Sequence, residues 1–303
     1  MPQQHLEDTA GGAVQQQTGA LARHRPTVGT ARAATTVTTV ADTHHYTRYV
    51  ALGDSQTEGL WDTDAGGALI GFADRLALRL DTHCPGVEYA NLAVRGKRIR
   101  DVLDAQLPAA LAMQPDLVTV CVGMNDVTRP GRKFDQALLD LDTLHDRLAD
   151  TGATVVTTTF PDLARVLPAG RVLVPRVLRI NDAIRAAADR HGFRLIDLYT
   201  ADSMTDPDTW SADRVHGSTK GHQLFAAAAA EALGLPGSNH DWAHAAASVT
   251  EQSALSRWYS QAMWTRNMLM PWIWRHLRGR SASIGGGPRH PQLAPVTARS
   301  DAR

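Results

Sequence analysis

The stretch Tyr49-Val50-Ala51-Leu52-Gly53-Asp54-Ser55-Gln56-Thr57-Glu58-Gly59 decides how the chain is read. Its apolar run is short enough for a buried strand, stops at Gly53, and gives way to a small acid, a serine and a second glycine. That pattern reads as a strand ending in a loop that presents Ser55, a candidate nucleophile. Glycine, aspartate and serine are also the ordinary residues of turns, so the assignment depends on residues much further along the chain.

Working outward, apolar runs alternate with longer amphipathic segments from Arg48 onward. Strands are expected at 48–53, 87–94, 116–122, 153–159 and 193–198, with helices near 68–82, 99–112, 132–151, 175–191 and 218–233. Strict alternation predicts right-handed crossovers and an α/β fold, a three-layer α/β/α sandwich around a five-stranded parallel sheet. Gly152 and Gly192 fall where helix C-terminal caps are favoured, and Pro115 stops the helix before the third strand. A chain of 303 residues can bury a substantial core without disulfides or metals.

Lysine plus arginine equals aspartate plus glutamate at 31 each, so the overall charge gives no reason to expect nucleic acid as a partner. Cys84 and Cys121 form no framework and no CxxC pair. The N-terminus has no basic start followed by the apolar run of a secretory signal. No stretch reaches the roughly 18 uninterrupted apolar residues of a membrane-spanning helix. A cytoplasmic protein is expected. Residues 1–44, rich in Gln, Thr, Ala, Gly and His, are expected to be a disordered leader.

In parallel sheets of this kind, binding residues gather at the carboxyl ends of the strands. Ser55 follows the first expected strand, Gly96 the second, and Gly123-Met124-Asn125-Asp126 the third. Beyond the fifth comes Trp210-Ser211-Ala212-Asp213-Arg214-Val215-His216-Gly217, with an acid three residues before a histidine. Ester hydrolysis needs a serine whose proton an imidazole takes, and an imidazole whose tautomer a carboxylate fixes. It also needs donors for the tetrahedral oxyanion, which the Ser55 N–H, the Gly96 N–H and the Asn125 side-chain amide could supply.

Together these residues resemble the SGNH, or GDSL, hydrolase family, whose motif blocks supply serine, glycine, asparagine and histidine in that order. The resemblance covers about residues 46 to 235 and sets the expected hydrolase domain at 45–236. It implies Ser55 as nucleophile, with Ser55, Gly96 and Asn125 as the oxyanion hole. His216 is implied as general base and acid, and Asp213 as its orienting partner. It further implies a flavodoxin-like sheet, a small-molecule ester as substrate, and no cofactor and no metal. Acyl esters, acetylated sugars, lysophospholipids and thioesters all suit this machinery. The reading from another class is a catalytically idle adaptor that keeps the fold.

Lys97, Arg98 and Arg100 follow Gly96 and raise the expectation of a basic rim that favours anionic esters, against the plainer reading of a solvated helix start. Asp54 and Asp126 are expected to bond backbone N–H groups in turns, and Asp162 and Asp197 to serve as turn or cap residues. The remaining histidines show no ligand spacing. The family resemblance implies that the loop holding Glu58 and Trp61 and residues 160–175 shape the acyl pocket, with Leu163, Val166 and Leu167 reading equally well as core.

After Pro236 the composition shifts. Residues 237–280 read as a linker and a helical extension with Trp258, Trp264, Trp272 and Trp274 among arginines, aromatic, basic and acid-poor. Three readings compete for 256–280: an extra helix on the domain, a membrane-surface contact, or a site for a partner protein. Residues 281–303 are expected to be a disordered tail.

Overall fold

The computed structural model describes residues 45–129, 131–166, 168–245 and 286–296. The expected leader at 1–44 and the Trp/Arg-rich segment at 256–280 lie outside the described residues.

β1 (Arg48–Gly53) occupies the middle of the sheet, and Tyr49, Val50, Ala51 and Leu52 are all fully buried. An apolar run with no polar alternation is what a parallel strand covered on both faces requires. The chain then alternates: α1 (Ser55–Glu58), α2 (Phe72–His83), β2 (Glu88–Asn91), α3 (Ile99–Asp101), a π-helical turn (Val102–Gln106) and α4 (Leu107–Ala112). β3 (Leu117–Cys121), α5 (Met124–Val127), α6 (Arg132–Ala149), β4 (Thr154–Thr158), α7 (Leu163–Val166), α8 (Val174–His191), β5 (Arg194–Ile196) and α9 (Thr219–Ala232) come next. Gly192, at φ 69°, ends α8 with its N–H bonded to the Ala188 carbonyl, the left-handed cap that glycine adopts without strain.

The sheet order is β5-β4-β3-β1-β2-β6. The first five strands are parallel, as the alternation predicts. The sixth, β6 (His290–Pro295), runs antiparallel along β2. The five-strand expectation is therefore corrected to six, and part of the expected disordered tail is a strand. Pro291 and Pro295 conceal it in the sequence, because proline cannot donate to a ladder. Beside β2 it lies at the sheet edge among the described residues, where a missing N–H is tolerated.

Helix α2 packs with α9, and α6 with α8 and α3. In the core the rings of Tyr49 and Tyr89 stack at 5.0 Å between centroids. No helix among the described residues is long and apolar enough to cross a membrane. Because β1 leads toward β2 on one side while β3 leads toward β4 on the other, the order reverses between β1 and β3. The crevice outside their carboxyl ends is where such sheets bind ligands.

Candidate active site

The loop leaving β1 is built by close backbone approach. Gly53 has φ 155°, and a Cβ there would lie 2.4 Å from the Cys121 carbonyl oxygen at the end of β3. Any larger residue would push the two strand ends apart. Asp54 then caps α1, its Oδ1 accepting from the Gln56 N–H at 3.2 Å, so that Ser55 is the first residue of the helix. Gly59 ends this single turn in the left-handed conformation at φ 88°.

Far along the chain, residues 211–216 fold back on themselves. The Ser211 N–H donates to the His216 carbonyl at 2.9 Å, and Arg214 takes the left-handed conformation at φ 55°. Asp213 Oδ1 accepts from the Ser211 hydroxyl at 2.7 Å, the Val215 N–H at 2.9 Å and the His216 N–H at 3.0 Å. Its other oxygen is left for the ring: Oδ2 lies 2.7 Å from His216 Nδ1. His216 Nε2 in turn lies 2.7 Å from Ser55 Oγ, across 161 positions of sequence. Gln56 ties the two loops together, accepting at Oε1 from the Gly217 N–H at 3.3 Å. Burial pushes the Asp213 carboxyl up, but the hydrogen bond from His216 and its charge override this and hold the group well below the usual carboxylate range.

Asn125 lies on α5 after β3. Its Nδ2 donates to the Lys97 carbonyl at 2.9 Å and to Asp54 Oδ2 at 3.1 Å, which joins the loops after β1, β2 and β3. Gly96 precedes Lys97 at φ 77°, a conformation that suits glycine. The neighbouring Asp126 accepts from the Ile99 N–H at 3.0 Å, fixing the same loop from a second point. Burial raises both acids, Asp54 and Asp126, to about 6. Both bond backbone N–H groups, as expected of them.

Several residues support the site in ways that the sequence barely announces. Gln106, on the π-helical turn, bonds the backbone of Gly53. Ser211 braces Asp213, and its spacing of two residues before an acid in a turn is the only hint. Glu58 is buried and bonded to the Arg95 N–H at 2.7 Å and to its guanidinium at 2.8 Å, so it secures the loop after β2. Trp61, by contrast, is half exposed, at φ 72°.

Two of the three residues of the expected basic rim are paired with acids. Lys97 lies 3.6 Å from Asp101, and Arg100 pairs with Asp104 at 2.8 Å and Asp140 at 3.4 Å. Asp162 caps α7 through the Ala164 N–H, and Asp197 pairs with Arg185 and accepts from Thr159. Among the described residues no group of histidine, cysteine, aspartate and glutamate could hold a metal ion.

No curated protein sequence matches the chain. A catalytic mutant of an acetylxylan esterase from Geobacillus stearothermophilus is similar in fold at 19% identity and a TM-score of 0.54, covering 64% of this chain and 97% of its own. A second acetyl xylan esterase, AlAXEase, is similar at 21% identity and a TM-score of 0.51, covering 61% of this chain and 98% of its own. The profile of the GDSL-like Lipase/Acylhydrolase family matches residues 51–224, more than half of the sequence and the span that holds Ser55, Gly96, Asn125, Asp213 and His216. The chain belongs to this family and is an SGNH-type hydrolase of carboxylic esters.

Proposed function

We propose that the chain cleaves its ester through an acyl-enzyme formed on Ser55. The observation that carries this reading is the unbroken line of hydrogen bonds from Asp213 through His216 to Ser55, two contacts of 2.7 Å each. His216 Nε2 takes the Ser55 proton as Oγ bonds to the acyl carbon. Asp213, accepting from Nδ1–H, stabilises the imidazolium that results. Negative charge then sits on the former carbonyl oxygen, and the N–H groups of Ser55 and Gly96 with the Asn125 amide are its donors. Collapse breaks the ester C–O bond, and His216 returns the proton to the leaving alcohol. Water repeats the sequence on the acyl-enzyme and frees the acid.

Each oxyanion donor is worth roughly 3–4 kcal/mol in comparable enzymes, so the preorganised amides matter as much as the triad. The acetylxylan esterases that share the fold make acetylated saccharides the first esters to assay. The decisive experiment is p-nitrophenyl acetate turnover by the wild type and by Ser55→Ala, with mass spectrometry of a quenched reaction. A Ser55 acyl adduct and loss of turnover in the variant are expected. Equal rates in the two proteins would refute the proposal.

A further inference from the structure

We propose that Asp54 is a positioning residue that acts through Asn125: its carboxylate, together with the Lys97 carbonyl, fixes the direction of the amide that receives the oxyanion. The proposal rests on the role given to Asn125 above. An amide nitrogen has two hydrogens, and both acceptors face Nδ2, Lys97 O at 2.9 Å and Asp54 Oδ2 at 3.1 Å. Turned end for end, the amide would set its own oxygen against two acceptors and lose both bonds. Its orientation is therefore locked before any substrate arrives.

Each acceptor is itself held. Asp54 is only 4% exposed, and its second oxygen is occupied by the Gln56 N–H. The Lys97 segment is braced on its far side, where the Arg98 N–H donates to Asp101 at 2.9 Å and the Ile99 N–H to Asp126. Both Asn125 N–H groups are thus engaged at rest, and a developing oxyanion must take one of them over. The Lys97 carbonyl belongs to a braced backbone, whereas the Asp54 carboxylate can turn about single bonds. The N–H facing Asp54 is the one that passes to the oxyanion. Asp54 carries no proton in the reaction; it keeps the donor aimed until the acyl oxygen replaces it.

Asp54→Ser tests this, because serine still caps α1 but is one atom too short to reach Asn125. With p-nitrophenyl acetate, kcat is expected to fall about tenfold, a fraction of the 10²–10³ that a whole donor supplies, with KM within about twofold of the wild type. In an Asn125→Ala background the same substitution is expected to have no further effect on kcat, since the residue it aims is gone. Equal losses in both backgrounds would show that Asp54 acts other than through Asn125, and no loss in either would leave it a helix cap alone; both outcomes overturn the proposal. If the serine variant does not fold, Asp54→Asn enters the same cycle, its single oxygen serving Gln56 or Asn125 but not both. An unchanged kcat in Asn125→Ala by itself would remove the oxyanion role and this inference with it. An additive cycle removes only the inference.

Discussion

Gln106 grips Gly53 from both ends of its backbone: the Gly53 N–H donates to Gln106 Oε1 at 2.9 Å, and Gln106 Nε2 donates to the Gly53 carbonyl at 2.8 Å. The pair fixes the exit of β1 two residues before Ser55. Without it, a buried N–H and a buried carbonyl lose their partners, at about 1–3 kcal/mol each. Gln106→Leu is therefore expected to lower Tm by roughly 5–10 °C and to reduce kcat, because the serine loop loses its fixed base. Thermal unfolding followed by circular dichroism checks it, and a change in Tm below about 2 °C would show that the clamp contributes nothing.

Asp213→Asn separates orientation from shape. Three donors, the Ser211 hydroxyl and the N–H groups of Val215 and His216, converge on Asp213 Oδ1 and will hold the amide oxygen of asparagine there. The amide nitrogen must then face His216 Nδ1 and force that atom to accept. His216 Nε2 would carry the hydrogen and point it at Ser55, the wrong tautomer for a base. Loss of kcat on the order of 10³–10⁴ is expected, by analogy with the serine protease case, while Tm moves by only a few degrees. Loss of activity with collapse of Tm would instead mark Asp213 as a structural residue.

Much of this arrangement was legible in the chain, for reasons that particular residues make plain. Tyr49 to Leu52 form a continuous apolar run because both faces of β1 are covered. Asp213 and His216 lie within one turn of chain, so their pairing is a local matter that spacing reveals. Gln106 meets Gly53 only after 53 residues of folding, and a glutamine on a helix looks like any surface residue. Helix α2 starts at Phe72 and not near 68, because Gly59 and Gly71 touch: a Cβ on Gly59 would lie 2.4 Å from the Gly71 nitrogen. That contact holds the preceding loop out of the helix, and nothing local announces it.

His222 makes stability depend on pH. It is fully buried, with Nδ1 accepting from the Phe72 N–H at 3.2 Å and Nε2 against the Leu60 carbonyl at 3.3 Å, an arrangement that suits only the neutral ring. Burial pushes its pKa down to about 4 from 6.5. The unfolded chain therefore binds the proton first as pH falls. The contribution is full above 6.5 and is lost between 6.5 and 4, about 3 kcal/mol in all. The raised carboxyls of Asp54 and Asp126 act in the opposite sense, adding stability as pH drops below about 6. Comparing wild type with His222→Gln cancels that background. Urea unfolding at pH 7.5, 5.5 and 4.5 should show the wild type losing ground to the variant with each step, and parallel curves would exclude the histidine as the cause.

Arg289 joins β6 to the rest of the fold through a buried acid. Its Nη2 lies 2.5 Å from Asp74 Oδ2 on α2, and its Nη1 bonds the Leu69 carbonyl. Asp74 also accepts from the Gly71 N–H at 2.9 Å and from the Tyr89 hydroxyl at 3.3 Å, and its carboxyl is 7% exposed. Burial alone would raise this carboxyl, yet His290 and Arg289 bring it below the ordinary value. Arg289→Met leaves a buried carboxylate without its main counter-charge, which costs about 3–5 kcal/mol in comparable pairs. Removing the acid's charge as well, in Arg289→Met with Asp74→Asn, should recover most of that loss, because two neutral groups need no compensation. Denaturant unfolding of the single and double variants measures the difference, and a double variant no more stable than the single one would show that β6 is held by its ladder to β2 alone.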